Sequence, residues 1–221
     1  MKYINFIPCV NRFDLLTKAI KSVPNTWNNI RIIDNSENNL KDYLKKEIGF
    51  DFTVLEPPVP LTTAQTYNWI RKMAIKEELD YLMFMHNDSE VLTENGDLKL
   101  IEASEEEYSK QDSKVGAIHH NNDWDRDVFI TYSVKMLKDI GEWDWLCMPF
   151  YWLDIDFNRR FEKHGWTFKT IDVLCEHHCN ASATIKSDKL RGLINGYYYS
   201  VSEVLMKIKW SRYSGDWRNL E

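Results

Sequence analysis

Apolar positions fall along this chain in two rhythms. Short runs of consecutive or alternating apolar residues occur in KYINFIPCV, NIRIID, FTVLEP and DYLMFM. Their length and their β-branched or aromatic content predict strands, with the last suited to a sheet covered on both faces. Between them apolar residues recur at three- and four-residue intervals. Phe13, Leu16, Ala19, Ile20 and Val23 predict a helix, with Asn11 as its N-cap and Asp14 in its first turn. LKDYLKKEI, TAQTYNWIRKMAIKEE and DLKLIEASEEEYSKQ predict three more helices.

The second half continues less regularly. SKVGAIHH predicts a strand, NNDWDRD a charged loop able to cover a site, and VFITYSVKMLKDIG further ordered structure ending at Gly141. WLDIDFNRRFEKHG predicts a helix stopped by Gly165, and WTFKTIDVLCEHH a single last strand. The tail, DKLRGLINGYYYSVSEVLMKIKW, is helical and aromatic, with an interruption expected at Asn195-Gly196. Strands alternating with helices through the first half predict a mainly parallel sheet between helical layers. The expected organisation is one domain over residues 1–182 and a helical extension, 183–221, packed on it.

Composition narrows the function classes. A chain of 221 residues with 43% hydrophobic residues can bury a substantial core. Its net charge of −6 argues against general nucleic-acid binding, which calls for a basic face. No apolar stretch reaches the roughly 20 residues that span a bilayer, and no secretory leader is visible. Four cysteines at irregular spacing give no disulfide framework, so reduced thiols and a cytoplasmic setting, with the inner face of a membrane open to it, are the expectation. The run CEHHC crowds four soft ligands into five residues, too tightly for one tetrahedral zinc ion; a single His serving a metal held elsewhere fits better.

Polar residues gather where strands end: Asn11 and Arg12 after the first, Asp34 at the second, and Asn87 and Asp88 after the fourth. Ligands of open α/β sheets bind outside those carboxyl ends. The order of these segments resembles the inverting, family-two glycosyltransferases of the GT-A fold. IPCVNRFDLLTKAIKSV is similar to that family's first strand and helix, IRIIDNSE to its second strand, and TAQTYNWIRKMA to the helix before the metal motif. HNDSEV resembles its D-x-D-type motif, with His86, standing where many relatives have the first Asp, open to two readings: a ligand to a transition metal such as Mn²⁺ or a packed side chain. The segment containing WLDIDFNRRFEKHG is similar to the family's E-D-x-D…R…G stretch, with Leu153 in place of the familiar Glu. EHHCNAS resembles the late strand whose His completes the metal site.

The resemblance implies a GT-A-like three-layer α/β/α sandwich that transfers a sugar from a nucleotide-diphosphate donor, UDP-type favoured, to an acceptor hydroxyl. It implies Mn²⁺ or Mg²⁺ held by Asp88 with His177 or His178, the two being indistinguishable at this point. Asn11, Arg12, Asp34, Asn68 and Asn87 are the expected donor-binding residues, and Asp154 the general base. Trp143, Trp145, Trp152 and Asp156 are expected toward the acceptor, since sugar C–H faces pack on aromatic rings. The acceptor is a glycan, a lipid-linked glycan or, as a narrower case, a modified DNA base.

Each residue also has a plainer reading. Asp34 suits an Asx turn with Asn35 and Ser36, Asp88 a turn, Arg12 the exposed start of a helix, Asn68 a solvent-facing helix position and Asp154 a helix N-terminus. The tail helix suits a homo-oligomer contact, a lid or a membrane surface equally. A sugar-1-phosphate nucleotidyltransferase is disfavoured because IPCVNRFD lacks the glycines of a triphosphate-cradling loop. His86 and Leu153 motivate the alternative of a catalytically impaired binding or scaffold protein of the same fold.

Overall fold

In the computed structural model, residues 1–36, 39–122, 125–148, 151–178 and 189–214 are described. Four apolar segments near the start form parallel neighbours: β1 (Tyr3–Cys9), β2 (Ile30–Asp34), β3 (Thr53–Leu55) and β4 (Tyr81–Met85). Phe6, Ile7, Ile32, Ile33, Met83 and Met85 lose all solvent contact, as strands covered on both faces must. The connecting helices are α1 (Phe13–Lys21), α2 (Leu40–Ile48) and α3 (Thr63–Lys76). Gly49 closes α2 at φ 77°, and a Thr62–Gln65 capping box opens α3. Asn11 does not cap α1. It takes a left-handed conformation (φ 57°) while Arg12 holds the cap position without a side-chain hydrogen bond. The Asn11 N–H is drawn instead to Ser36 Oγ, at 2.8 Å.

After α4 (Gly96–Tyr108) come β6 (Val115–His119) and β7 (Phe129–Ser133), then α5 (Val134–Ile140), α6 (Leu153–Lys163) and β8 (Thr167–Thr170). The sheet of seven strands runs β3-β2-β1-β4-β7-β6-β8, with β7 the one strand antiparallel to its neighbours. Helices α3, α5 and α6 pack over one face and α1, α2 and α4 over the other, each on its own apolar core. The architecture is thus a three-layer α/β/α sandwich.

Two further sequence expectations change. The final apolar run is not one strand: after β8 the chain turns at Ile171–Val173, and β9 (Cys175–His177) leaves the main sheet. It pairs antiparallel with β5 (Ser89–Val91), the segment that reverses direction just after Asp88. The tail, α7 (Lys189–Ser214), passes through Gly196 without a break. One glycine costs a helix only about 1 kcal/mol, and burial of Ser202, Met206 and Trp210 holds α7 against the domain. The expected domain boundary between 182 and 183 lies outside the described residues, as does Cys179 of the CEHHC run.

Candidate active site

Strands β1, β2 and β4 end side by side, bringing distant segments together. Asp34, buried at the tip of β2, accepts the Ser36 N–H at 2.8 Å and so opens an Asx turn. Ser36 in turn holds Asn11. Asn87 Nδ2 lies 3.9 Å from Cys9 Sγ, and burial, with the Asp34 charge beside it, pushes that thiol up to about 12. Cys9 is therefore a packed neutral thiol. Arg12 forks onto Asp14 at 2.8 and 2.7 Å and lies within electrostatic reach of Asp88.

Among the described residues, His86, Asp88 and His177 form a group whose ligand atoms all lie within 4.8 Å of one another. His86 Nδ1 is 3.8 Å and His177 Nε2 3.4 Å from the same Asp88 oxygen. The β5–β9 register, Ser89 opposite His177, delivers the second histidine. Burial works against charge on Asp88, but the His177 hydrogen bond and the flanking imidazoles outweigh it and hold the carboxyl below its usual range. The same contact, opposed by burial, lifts His177. A permanent carboxylate between two imidazoles is a donor set that suits a divalent cation.

Each histidine turns its other nitrogen toward an oxygen. His86 Nε2 lies 3.2 Å from Tyr67 Oη and 3.9 Å from Asp127 Oδ2. His177 Nδ1 lies 3.6 Å from Asp125 Oδ1. Such outer partners fix the tautomer and ring orientation of metal-binding histidines. The Tyr67 phenol stays protonated: burial first, then Asp127, Tyr132, Asp154 and Asp88, raise it well above its ordinary range.

Asp154 approaches the same region from the first turn of α6, behind Trp152 in a left-handed conformation (φ 64°). Its side chain meets solvent, yet protein crowds it on most sides. That burial, followed by the Asp127 charge, pushes its carboxyl up to about 6, while the N–H groups of Ile155 and Asp154 and the Arg126 charge pull the other way. Contact with water also works against the push. Asp154 and Asp88 both act electrostatically on the Tyr67 hydroxyl, and Asp127, 3.9 Å from His86 Nε2, acts on Asp154 as well.

Other expected site residues lie elsewhere. His178 faces away from the cluster, with Nε2 3.2 Å from Glu90 and Nδ1 3.5 Å from Glu176, because adjacent strand residues point to opposite sides. Asn68 is buried and brackets the loop at Trp143: its Nδ2 donates to the Trp143 carbonyl and its Oδ1 accepts the Trp143 N–H, both at 2.8 Å. Trp143 stacks on Phe157 inside the core, with centroids 4.0 Å apart, and has no face to offer a ligand. Asp156 is fully buried and binds Arg160, Lys209 and Trp210. Trp152 donates to the Tyr199 carbonyl at 3.2 Å and is half-buried. Trp145 is exposed and borders a cavity of about 430 Å³ with Pro57, Pro58, Leu61 and Trp69, none of whose walls belongs to the histidine cluster.

Sequence reasoning left His86 undecided and passed over Tyr67, Asp125 and Asp127. The one available signal was the charged loop NNDWDRD, read as a cover. Asp125 and Asp127 of that loop instead back the two histidines.

No protein-family model matches the sequence, and no curated protein matches it. Solved structures do. The chain is similar to the mannosyltransferase PcManGT of Pyrobaculum calidifontis, solved in complex with GDP-Man and Mn²⁺, at 10% identity and TM-score 0.58 over 77% of this chain and 55% of that one. It is similar to S. aureus TarS 1–349 at 14% identity and TM-score 0.56, over 78% and 58% of the two chains. GalNAc-T7, solved with UDP, GalNAc and Mn²⁺, matches at 11% identity and TM-score 0.59, over 80% and 44%. The chain spans about half the length of these proteins, at 55%, 58% and 44%. Strand order, layers and these matches together show that the chain has a GT-A-like fold.

Proposed function

We propose that this chain is a metal-dependent glycosyltransferase that moves a sugar from a nucleotide diphosphate, UDP-type favoured, to an acceptor hydroxyl with inversion. The observation that carries the reading is the His86–Asp88–His177 cluster beyond the carboxyl end of β4, with Tyr67 on His86 and Asp154 within electrostatic reach of that hydroxyl. Asp34, Asn11, Arg12 and Asn87 border the donor side. When bound, a divalent cation at Asp88 and its histidines supplies Lewis-acid stabilisation of diphosphate charge. Arg12 adds positive charge to the same side.

Asp154 takes the proton of the acceptor hydroxyl as that oxygen bonds to the anomeric carbon. The bond from that carbon to the diphosphate oxygen breaks, and the nucleoside diphosphate leaves with the electron pair. A single displacement inverts the anomeric centre. A raised carboxyl is a better proton acceptor than an ordinary one, because its proton affinity lies nearer that of the hydroxyl it must deprotonate. The acceptor enters past Trp152, which precedes Asp154 at the start of α6 and keeps solvent contact.

Replacing Asp154 with Asn tests the assignment. Donor binding by calorimetry should survive while transfer falls by roughly 10²–10⁴-fold; undiminished transfer rejects Asp154 as the base. One alternative has a specific motive: a binding or scaffold protein that has lost turnover, suggested by His86 and by the apolar, buried Leu153 in the resembling motifs. Metal-dependent release of nucleoside diphosphate from a donor sugar, with water as acceptor, rejects that alternative.

A further inference from the structure

We infer that His86 binds the cation directly through Nδ1, making the centre a two-nitrogen, one-carboxylate site that takes Mn²⁺ or a later first-row ion and discriminates against Mg²⁺. This rests on the reading above only in placing a metal at Asp88.

The geometry of the ring decides the ligand atom. His86 presents Nδ1 toward Asp88 at 3.8 Å and Nε2 toward Tyr67 Oη at 3.2 Å and Asp127 at 3.9 Å. The Tyr67 hydroxyl can accept a hydrogen bond from Nε2 or donate one to it, whereas the Asp127 carboxylate can only accept. Asp127 therefore favours the tautomer whose hydrogen sits on Nε2 and whose lone pair sits on Nδ1, facing Asp88. His177 is arranged in the mirrored sense: Nε2 faces Asp88 at 3.4 Å and Nδ1 faces Asp125 at 3.6 Å. Two rings thus meet one carboxylate through inner nitrogens, with an acidic residue behind each. Ligands about 2.1 Å from a shared ion lie about 3–3.5 Å from one another, so only modest closing of the present separations is needed.

The donor atoms then set the preference. Mg²⁺ demands oxygen ligands and holds its water, whereas imidazole nitrogen favours transition ions, increasingly from Mn²⁺ through Co²⁺. An aspartate at position 86 would give an oxygen-rich site open to Mg²⁺; a histidine shifts the balance away from it.

The test uses the full chain, stripped of metal, and the metals alone. Calorimetric titration should show Mn²⁺ and Co²⁺ binding at least about tenfold tighter than Mg²⁺. Pulsed electron paramagnetic resonance of the Mn²⁺-loaded protein should show coupling to two imidazole nitrogens. His86→Asp should remove one nitrogen coupling and narrow the Mn²⁺/Mg²⁺ ratio; His86→Ala should weaken Mn²⁺ by at least the roughly 10–100-fold typical of losing an outer partner. Mg²⁺ binding as tightly as Mn²⁺, an unchanged two-nitrogen signal in His86→Asp, or no metal binding at all overturns the inference. Sugar transfer fully supported by Mg²⁺ would overturn it while leaving the proposed activity standing. Selective two-nitrogen Mn²⁺ binding without any nucleotide-sugar binding would do the reverse.

Discussion

The carboxyl of Asp154, pushed up to about 6 from an ordinary 3.8, should write itself into the pH dependence of transfer. A base acts only when deprotonated. With a value of about 6, roughly nine-tenths of the molecules carry the base form at pH 7 and about one-tenth at pH 5, so kcat/KM should fall about tenfold across that interval. An unperturbed aspartate would leave the same interval nearly flat. The sign of each neighbour gives a second reading. Asp127 holds the value up, so Asp127→Asn should move the acid limb to lower pH; Arg126 holds it down, so Arg126→Gln should move it higher. The assay is initial-rate transfer at saturating Mn²⁺ from pH 4.5 to 8. A parallel ¹³C-carboxyl titration of metal-free protein, with Asp154 assigned by difference from Asp154→Asn, separates this limb from loss of metal at the histidines. A flat profile between pH 5 and 7, or an Asp154 resonance titrating below pH 4.5, refutes the reasoning.

The raised Asp154 also predicts a stability effect. The folded state binds its proton more tightly than the unfolded chain, so a penalty is absent below about pH 3.8, grows as pH rises and is complete above about 6. Asp154→Asn should therefore melt higher than wild type at pH 7.5, with the difference shrinking toward pH 4; a lower melting point at pH 7.5 refutes this. Asp156 predicts the opposite kind of change, since one buried carboxylate meets Lys209 at 2.7 Å and Trp210 and Arg160 at 3.0 Å. Asp156→Ala leaves Arg160 and Lys209 without it and should cost about 3–5 kcal/mol in urea unfolding followed by circular dichroism. Lys209→Met should cost less, because Arg160 still faces the carboxylate, and a loss under 1 kcal/mol for Asp156→Ala refutes the role. Saturating Mn²⁺ at about 100 times its Kd should stabilise wild type by about 2.7 kcal/mol; His177→Ala should lose that gain and His178→Ala keep it, and equal behaviour of the two variants refutes the assignment of His177.

The left half of the sheet was legible because its strands are buried on both faces and their connecting helices repeat at three and four residues. Periodicity did not reveal that VFITYS enters the sheet antiparallel, since strand direction depends on partners and not on local pattern. Nor could it divide WTFKTIDVLCEHH, whose apolar content is the same whether it pairs with one sheet or two. The clearest case is the histidine pair. Alternation says that His177 and His178 point opposite ways, but only the pairing of Ser89 with His177 says which way is inward. Asp125 and Asp127 were invisible as partners because each meets a histidine some forty or fifty positions away in the sequence. Asp156 reads in sequence like its neighbour Asp154; its burial under Trp210 depends on a helix that arrives later in the chain.

The ribbon of β5 and β9 carries a thermodynamic consequence. Three residues a side is too little to persist in water unaided, so the ribbon depends on the burial of Val91 and Cys175 in the core shared with α1, α2 and α4. Because His177 and Asp88 sit on this ribbon's two chains while His86 directly follows β4 of the main sheet, an ion held by all three would tie the ribbon to the sheet. Amide exchange at 89–91 and 175–177 should then slow further as a cation occupies the site.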